Sequence, residues 1–446
     1  MLKWNYPSKD RRRHIIQLAT PIILGMLSIN ILDIVDTAMI GRLGDNALAA
    51  TGFASFLFFV SFAATTGIAG GIQTITARRL GENKHDECGL PLSAGIFLVL
   101  VYSLILIGIM SFAAPTILGY FSSDANVIQL SQDYYMWRLP GILAIGVSLC
   151  FRGFWNGIKE PNTYAFILVM THILNIVLNW MLIFGNVGCP ALGVKGAAIG
   201  STISLYLGMI TYIVVTRNKK ESMNVLKVFP TWFGIKRLFR LGVPAAVDQF
   251  LFALFLLGMF WIFGQIGTQA AAVAHVVIIC ILLLFLPGVG LGMTSLSLVS
   301  EALGKGDAND AKQWAWDIMK FGIPIVTIVG LILFCFPKPI LSLFIQNKST
   351  LEMAIFPFRL DLVMMGSMCI GVICLESLIG AGATRFVLMF RLVFRNILLL
   401  PGAYILVVFF GYGLNAVWLF WAMINFIETI ILIGVWQRKR WVGIKV

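Results

Sequence analysis

Charged residues are scarce in this chain of 446 residues. Only 12% of the residues are Asp, Glu, Lys or Arg, whereas 59% are hydrophobic. Soluble globular domains carry about 25% charged residues, so this composition does not provide enough polar side chains to cover a surface in water. The scarcity excludes a soluble globular protein, and it indicates an integral membrane protein.

Patterns typical of metal and redox sites are also lacking. The seven cysteines are scattered without a CxxC pair, the four histidines (His14, His85, His172 and His275) are dispersed, and no HExxH occurs. Such spacing excludes a disulfide scaffold and a zinc site of the usual kinds. The sequence therefore predicts no metal and no cofactor.

One short motif points to an enzyme. Residues 304–307 read GKGD and match the GxGD of intramembrane aspartyl proteases, but no second acid is placed to complete a catalytic pair. The protease alternative stays open as the less favoured one, and the prediction is that the protein is not an enzyme.

Long apolar runs fill the rest of the chain. A helix needs about 20 apolar residues to cross the hydrocarbon layer, and runs of that length, rather than alternating segments of about ten, predict transmembrane α-helices. The predicted spans are residues 15–40, 46–77, 89–114, 126–151, 162–185, 193–216, 241–264, 268–302, 313–336, 350–379, 386–410 and 412–437. The predicted fold class is an all-α integral membrane protein with twelve transmembrane helices.

Basic residues are distributed unevenly between the two sides. With the N-terminus placed inside, 24 of the 33 Lys and Arg residues fall in inner segments, and only Arg42, Lys338 and Lys348 fall in outer loops. Inner loops of membrane proteins are enriched in Lys and Arg. We therefore predict both termini in the cytoplasm and a multi-pass protein of the inner membrane, and the net charge of +13 does not indicate nucleic-acid binding.

The two halves of the chain repeat at an offset of 223 residues. The matching positions are Pro21 and Pro244, Gly41 and Gly264, Gly44 and Gly267, Ala47 and Ala270, Leu80-Gly81 and Leu303-Gly304, and Gly157 and Gly380. Six spans per half make the repeats parallel, related by an axis along the membrane normal. We predict two pseudo-symmetric six-helix bundles, at residues 1–216 and 241–446, with a cytoplasmic linker at 217–240. Such bundles are typical of transporters that work by alternating access.

Two acids lie in the middle of the first predicted span. Asp33 and Asp36 are three residues apart, so they share one face of the helix. A carboxylate in the hydrocarbon region is costly, and intramembrane acids are functional by default. Asp36, and with less support Asp33, are candidate ion-coupling residues.

Several motifs resemble the multidrug and toxin extrusion (MATE) family. They are VDTAMIGRLGDNALAA at 35–50, ARRLGENKHDE at 77–87, FRGFWNGIKEP at 151–161, NIVLNWMLIFG at 175–185 and GVKGAAIGSTIS at 193–204. The first motif is most similar to the branch named after DNA-damage-inducible protein F. The resemblance covers nearly the whole chain. It implies a two-lobe, twelve-helix transporter with a central cavity that exports amphiphilic, often cationic, compounds in exchange for H⁺ or Na⁺.

The resemblance also implies an ion-coupling site in the first half. The family's first-span acid falls on Asp36, its fifth-span pair falls on Asn175 and Asn179, and its sixth-span hydroxyl falls on Ser201. Archaeal members have an acid where this chain has Asn179. A hard cation such as Na⁺ prefers several oxygens with net negative charge, so H⁺ is the first choice of coupling ion and Na⁺ is the second.

The second half departs from the family pattern. Other members carry a seventh-span Glu where this chain has Phe252, and Asp248 lies one turn earlier. Asp248 and Asp361 are candidate substrate-cavity residues, although Arg359 lies close enough in sequence to pair with Asp361. For four further charged residues we expect snorkelling or lateral salt bridges. They are Glu376, Glu428, Arg391 and Arg395.

These observations predict a cation-coupled antiporter that acts as a monomer on small amphiphiles in contact with membrane lipid. The alternative transport function is a flippase for lipid-linked glycans. A flippase would favour a strongly cationic cavity that holds pyrophosphate, whereas the first span here is acidic.

Overall fold

The structure is a computed structural model that describes residues 6–122, 124–219, 223–224, 230–439 and 441–444. Every regular element in this part of the chain is helical. The helices are α1 (Lys9–Gly41), α2 (Asp45–Gly81), α3 (Leu90–Gly119), α4 (Ala125–Arg138), α5 (Gly141–Gly157), α6 (Pro161–Phe184), α7 (Val194–Lys219), α8 (Trp232–Ile266), α9 (Thr268–Leu284), α10 (Leu286–Gly304), α11 (Ala308–Cys335), α12 (Pro337–Leu341), α13 (Lys348–Gly380), α14 (Thr384–Arg391), α15 (Leu400–Tyr404) and α16 (Leu414–Gln437). Short 3₁₀ turns lie at His85–Glu87 and Asn186–Gly188, and π-helical turns at Leu392–Leu399 and Ile405–Phe409 join α14, α15 and the end of the same span.

The number of long apolar helices agrees with a multi-pass membrane protein. Within the described residues, eleven helical segments are long and apolar enough to cross a membrane, and the bent pair α4 and α5 makes a twelfth when it is counted as one span. The bend between these two helices is 49° and lies at Leu139 and Pro140. The prediction of an all-α integral membrane protein is confirmed.

The offset of 223 residues reappears in the helix boundaries. The pairs of helix starts that differ by this number are Asp45 and Thr268, Ala125 and Lys348, and Pro161 and Thr384. Gly44 and Gly267, which precede the first of these pairs, both have a positive φ, of 105° and 148°. Glycine adopts this backbone region without a Cβ clash, so the two halves enter their second span through the same kind of turn.

Contacts divide the helices into two compact units. The N-terminal unit comprises Leu24–Ala246, and the C-terminal unit comprises Met1–Ile23 and Val247–Val446. Helices α1 and α8 therefore each contribute to both units. Part of the predicted linker at 217–240 is helical, because α7 ends at Lys219 and α8 begins at Trp232. Residues 220–222 and 225–229 lie outside the described residues.

Close helix packing builds the N-terminal unit. A Cβ at Gly153 of α5 would lie 2.3 Å from the Ala69 carbonyl oxygen of α2, and one at Gly196 of α7 would lie 2.3 Å from the Leu182 carbonyl oxygen of α6. Small residues let helix backbones approach in this way in membranes, where van der Waals packing replaces the hydrophobic effect. This packing positions the α6 and α7 side chains described below.

In the C-terminal unit, an aromatic cluster joins α8 and α16. Phe263 stacks on Trp418 with ring centroids 5.2 Å apart, and both side chains are almost fully buried. The predicted span at 268–302 is not continuous, because α9 ends at Leu284 and α10 begins at Leu286. Pro287 in the first turn of α10 has no backbone N–H to continue the preceding helix, which explains the interruption.

Candidate functional site

Asp36 lies in the second half of α1, within the N-terminal unit. Its side chain is partly buried, whereas Asp33 is exposed. The Asn179 side-chain amide donates a hydrogen bond of 2.9 Å to Asp36 Oδ1. The structure therefore joins Asp36 directly to one of the two predicted α6 amides. It gives Asp33 no such contact through its side chain within the described residues.

The hydrogen bonds continue along α6 to α7. Asn179 Nδ2 also donates to Asn175 Oδ1 over 3.1 Å, and Asn175 Nδ2 donates to Ser204 Oγ over 3.0 Å. Asn175 and Asn179 are 3% and 0% exposed. The sequence brings the two amides to one face through their spacing of four, and the packing of α6 on α7 buries them.

The α7 hydroxyl that contacts Asn175 belongs to Ser204, whereas the family resemblance indicates Ser201. Both serines are buried, but the Ser201 contact to this chain of hydrogen bonds is its backbone carbonyl, which accepts from Ser204 Oγ over 2.8 Å. The two residues are three apart and so lie near one face of α7. Only the helix rotation decides which hydroxyl faces Asn175, and the sequence carries no clear signal of it.

One acceptor in this cluster has no donor. Asn179 Oδ1 is buried and makes no hydrogen bond within the described residues. An unpaired buried carbonyl costs free energy, so this atom is available to a proton on a neighbouring group or to a bound cation. Asp36, Asn175, Asn179 and Ser204 together form a polar site, which we call the α1–α6 site.

In the C-terminal unit, Asp248 forms an ion pair. Asp248, on α8, is 4% exposed and accepts a short hydrogen bond from Arg391 at the end of α14. Arg395 approaches the same carboxylate, with Nη1 3.9 Å from Oδ1. Of the two expectations for these arginines, the structure therefore has the lateral salt bridge, with Arg391 in hydrogen-bonding contact with Asp248 and Arg395 at a longer distance.

Asp361 and Asp248 line the same cavity. Asp361 accepts a hydrogen bond of 3.0 Å from the Trp418 indole N–H. The expected pairing of Asp361 with Arg359 is wrong, because Arg359 donates to the Phe334 carbonyl oxygen and stacks on the Phe334 ring. The cavity has a volume of about 450 Å³ and belongs to the C-terminal unit alone.

No group of three or more His, Cys, Asp or Glu side chains that could hold a metal ion occurs among the residues the structure describes.

The motif at 304–307 has a structural role. Asp307 is the N-cap of α11, where its carboxylate accepts from the backbone N–H groups of Asn309 and Asp310. It therefore offers no support for a protease site.

Comparison with protein families matches the chain twice to one family, MatE, at residues 21–181 and 244–405. The two matches begin 223 residues apart, at the paired prolines of α1 and α8. The matched segments cover most of the chain, and they coincide with the two halves of the repeat.

Curated relatives match over nearly the full length. A probable multidrug resistance protein NorM of Thermotoga maritima is 24% identical over 450 residues, which cover 98% of this chain and 96% of the relative. The Pasteurella multocida protein of the same name is 27% identical over 78% of this chain and 75% of its own length.

Solved structures share the fold. An outward-facing multidrug resistance MATE family transporter has a TM-score of 0.89 at 20% identity and covers 98% of this chain and 97% of its own. The eukaryotic MATE transporter AtDTX14 has a TM-score of 0.86 at 19% identity, with 97% of each chain covered.

Proposed function

We propose, from the premise that this chain belongs to the MatE family, that it is a cation-coupled antiporter that exports amphiphilic organic compounds by alternating access. Members of the family are transporters and not enzymes. The observation that carries the coupling proposal is the hydrogen bond from Asn179 to Asp36, an acid inside a membrane-spanning helix. H⁺ is the proposed coupling ion.

Protonation of Asp36 would change this hydrogen bond. The ionised carboxylate accepts from the Asn179 amide in a charge-assisted bond, which is stronger than a bond between neutral groups. A protonated carboxyl group is itself a donor, and the buried Asn179 Oδ1, which accepts no hydrogen bond from the described part of the chain, is a neighbouring acceptor. The two protonation states of Asp36 therefore favour different arrangements of α1 against α6, and a proton shifts the population between them.

Na⁺ is the second candidate ion, because Asn179 Oδ1 could act as an oxygen ligand beside Asp36. A hard cation prefers several oxygens with net negative charge. The α1–α6 site supplies one carboxylate, which supports H⁺ over Na⁺.

We propose that the protein lies in the inner (cytoplasmic) membrane. The distribution of Lys and Arg supports an orientation with both termini in the cytoplasm. The proposed substrates are small amphiphiles, which is consistent with the multidrug resistance names of the relatives. We further propose that a single chain suffices for transport.

Replacement of Asp36 tests the coupling. In everted vesicles with imposed H⁺ or Na⁺ gradients and a panel of cationic dyes, we expect Asp36→Asn to abolish the part of dye transport that depends on the pH gradient, because the amide cannot exchange a proton. Asp33→Asn is the matched variant on the same helix face, and we expect it to retain this dependence.

Unchanged pH-driven transport by Asp36→Asn would contradict the role of Asp36. If transport by the unmodified protein depends on the Na⁺ gradient and not on the pH gradient, the coupling ion is Na⁺ and not H⁺.

A further inference from the structure

Helix α6 carries an ionisable side chain near its middle. His172 lies seven residues before Asn179 on this helix, and it is partly buried. No Asp, Glu, Lys or Arg occurs in α6, so His172 is the residue of this helix that can change its charge near neutral pH. Ionisable residues inside membrane spans are costly and often take part in proton relays. The role proposed for Asp36 leaves His172 without a task.

His172 contacts α1 through a hydrogen bond of its own. His172 Nδ1 lies 3.0 Å from Ser28 Oγ, and the Ser28 hydroxyl donates to the Gly25 carbonyl oxygen over 2.7 Å. The single hydrogen of the hydroxyl is used in the second bond, so Nδ1–H is the donor in the first. A neutral ring then has its free lone pair on Nε2, which makes no hydrogen bond within the described residues.

Contacts between α1 and α6 follow one another in the same order along both helices. From the N-terminal ends, the pairs are Gly25 with Leu168, Ser28 with His172, and Asp36 with Asn179. The last two pairs are seven or eight residues apart, which is about 11 Å along the helix axes. In the proposed orientation both helices begin at the cytoplasmic side, so His172 lies between Asp36 and the cytoplasm.

Asn175 lies between these two pairs. It is three residues after His172, so the two side chains are neighbours on the surface of α6. The amides of Asn175 and Asn179 donate and accept hydrogen bonds, but a side-chain amide does not exchange a proton near neutral pH. A proton that leaves Asp36 along this part of α6 therefore needs another carrier, and an imidazole with a free Nε2 can accept it.

Few charged groups lie on the segments packed against α6 in this unit. They are Asp33 and Asp36 on α1, Arg152 on α5, and Lys195 and Arg217 near the two ends of α7. Within the described residues, none of them forms an ion pair with His172. No fixed partner holds the ring in its charged form, so it can take up a proton and release it again.

We propose that His172 is the second proton-carrying residue of the N-terminal unit, which accepts the proton released by Asp36 and passes it to the cytoplasmic side. The O–H bond of the Asp36 carboxyl group breaks and its electron pair stays on the carboxylate. The proton moves through a short chain of water molecules, and an N–H bond forms at His172 Nε2. The imidazolium then gives this proton to water on the cytoplasmic side, while Nδ1–H stays on Ser28. This inference rests on the proposed H⁺ coupling and names the exit of the proton.

A bland account of His172 is that it only ties α6 to α1 through Ser28. The two accounts assign the function to different atoms, because the tie needs the donor at Nδ1 and the relay needs the base at Nε2. His172→Asn keeps an N–H donor close to the position of Nδ1 but has no basic nitrogen. Ser28→Ala removes the tie and leaves the imidazole in place.

The test measures dye transport in everted vesicles, whose outer face is the cytoplasmic one, under an imposed pH gradient. We expect His172→Asn to slow pH-driven transport about a hundredfold, the lower end of what a positioned proton carrier contributes. We expect Ser28→Ala to retain most of the rate. Dye binding to the purified full-length protein in detergent, measured by fluorescence polarisation, should be unchanged in both variants.

A pH profile gives a readout that a structural tie does not move. The pH difference across the membrane is held constant while the pH on the cytoplasmic face is varied from about 5 to 8, where imidazoles titrate. We expect the rate of the unmodified protein to fall toward low pH, because a protonated His172 cannot accept a further proton. His172→Asn should lack this part of the profile.

The control makes the same substitution at another histidine. His275, on α9 of the C-terminal unit, is exposed and packs against the Phe260 ring, and we expect His275→Asn to leave both the rate and the profile unchanged. Melting temperatures in detergent identify any variant that fails to fold.

Unchanged pH-driven transport by His172→Asn would overturn the relay, and so would an equally large loss in Ser28→Ala, which the structural tie explains. If Asp36→Asn abolishes pH-driven transport and His172→Asn does not, the role of His172 fails and the proposed function stands. If the unmodified protein shows no pH-driven transport, the H⁺ coupling itself fails and the relay fails with it.

Discussion

At the residue scale, the α1–α6 site depends on a glycine that touches it. A Cβ at Gly200 of α7 would lie 2.3 Å from Asn179 Oδ1, a separation that real side chains do not show. Gly200→Ala must therefore displace the amide that donates to Asp36. We expect a loss of stability of about 1–2 kcal/mol, typical of overpacking, together with reduced pH-driven transport in vesicles.

The matched control is Gly108 in α3, where an added Cβ would have no heavy atom within 4 Å. Gly108→Ala should leave transport unchanged and stabilise the helix slightly, because Ala favours helix more than Gly does. Equal transport by the two alanine variants would show that the position of the Asn179 amide does not matter for coupling.

At the scale of single elements, the cap of α11 explains a motif that resembled a protease site. Gly306 has a φ of 80°, and the next residue, Asp307, accepts from the N–H groups of Asn309 and Asp310. Loss of such a cap costs about 1 kcal/mol. We expect Asp307→Ala to reduce the free energy of unfolding by about 1 kcal/mol, seen as a lower apparent melting temperature in detergent. The transport rate should be unchanged.

Asp307→Asn is the control for the cap, since its side-chain oxygen can still accept both hydrogen bonds. It should restore most of the lost stability. A loss of transport in Asp307→Asn at full stability would show that the carboxylate has a chemical role after all.

Another element departs from the regular span predicted at 386–410. The residues Leu392–Leu399 form a π-helical segment, in which the Leu400 N–H donates to the Arg395 carbonyl. Pro401, which follows, has no N–H for the helix ladder. π-helical turns are often found at functional sites, and here the segment carries Arg395.

At the scale of the whole molecule, α1 is shared between the two compact units. Its residues up to Ile23 belong with the C-terminal unit, and the part that carries Asp36 belongs with the N-terminal unit. Arg11 anchors the first part, because it forms ion pairs with Asp310 and Asp317 of α11 and lies 4.0 Å from the Trp314 ring centroid.

Removal of this anchor should destabilise the protein. Asp317 is 2% exposed, so Arg11→Gln leaves a buried carboxylate that keeps, among the residues the structure describes, the hydrogen bond from Gln313. We expect a loss of about 1–3 kcal/mol, measured as a lower apparent melting temperature in detergent.

A double-mutant cycle with Asp317→Asn isolates the pair, and the double variant should lose less than the sum of the single losses. The exposed neighbour Arg13 provides the control, as Arg13→Gln should change stability little. Strict additivity of Arg11→Gln and Asp317→Asn would exclude an energetic link between the two side chains.

Much of this protein was determined by its sequence. Length and spacing of apolar runs are local properties, so they predicted the helices. Paired glycines and prolines recur at a fixed offset, so they predicted the repeat. The acid in the first span and the two amides four residues apart also identified most of the α1–α6 site.

Tertiary structure alone decided which side chains meet. Whether Ser201 or Ser204 faces Asn175 depends on the rotation of α7, and the pairing of Asp248 with Arg391 depends on packing between helices about 140 residues apart in the chain. The division of α1 and α8 between the compact units is likewise set by contacts between distant segments. Hydropathy and motif spacing carry no information on helix rotation or on neighbours across a bundle, and so these features emerge only when the helices are packed.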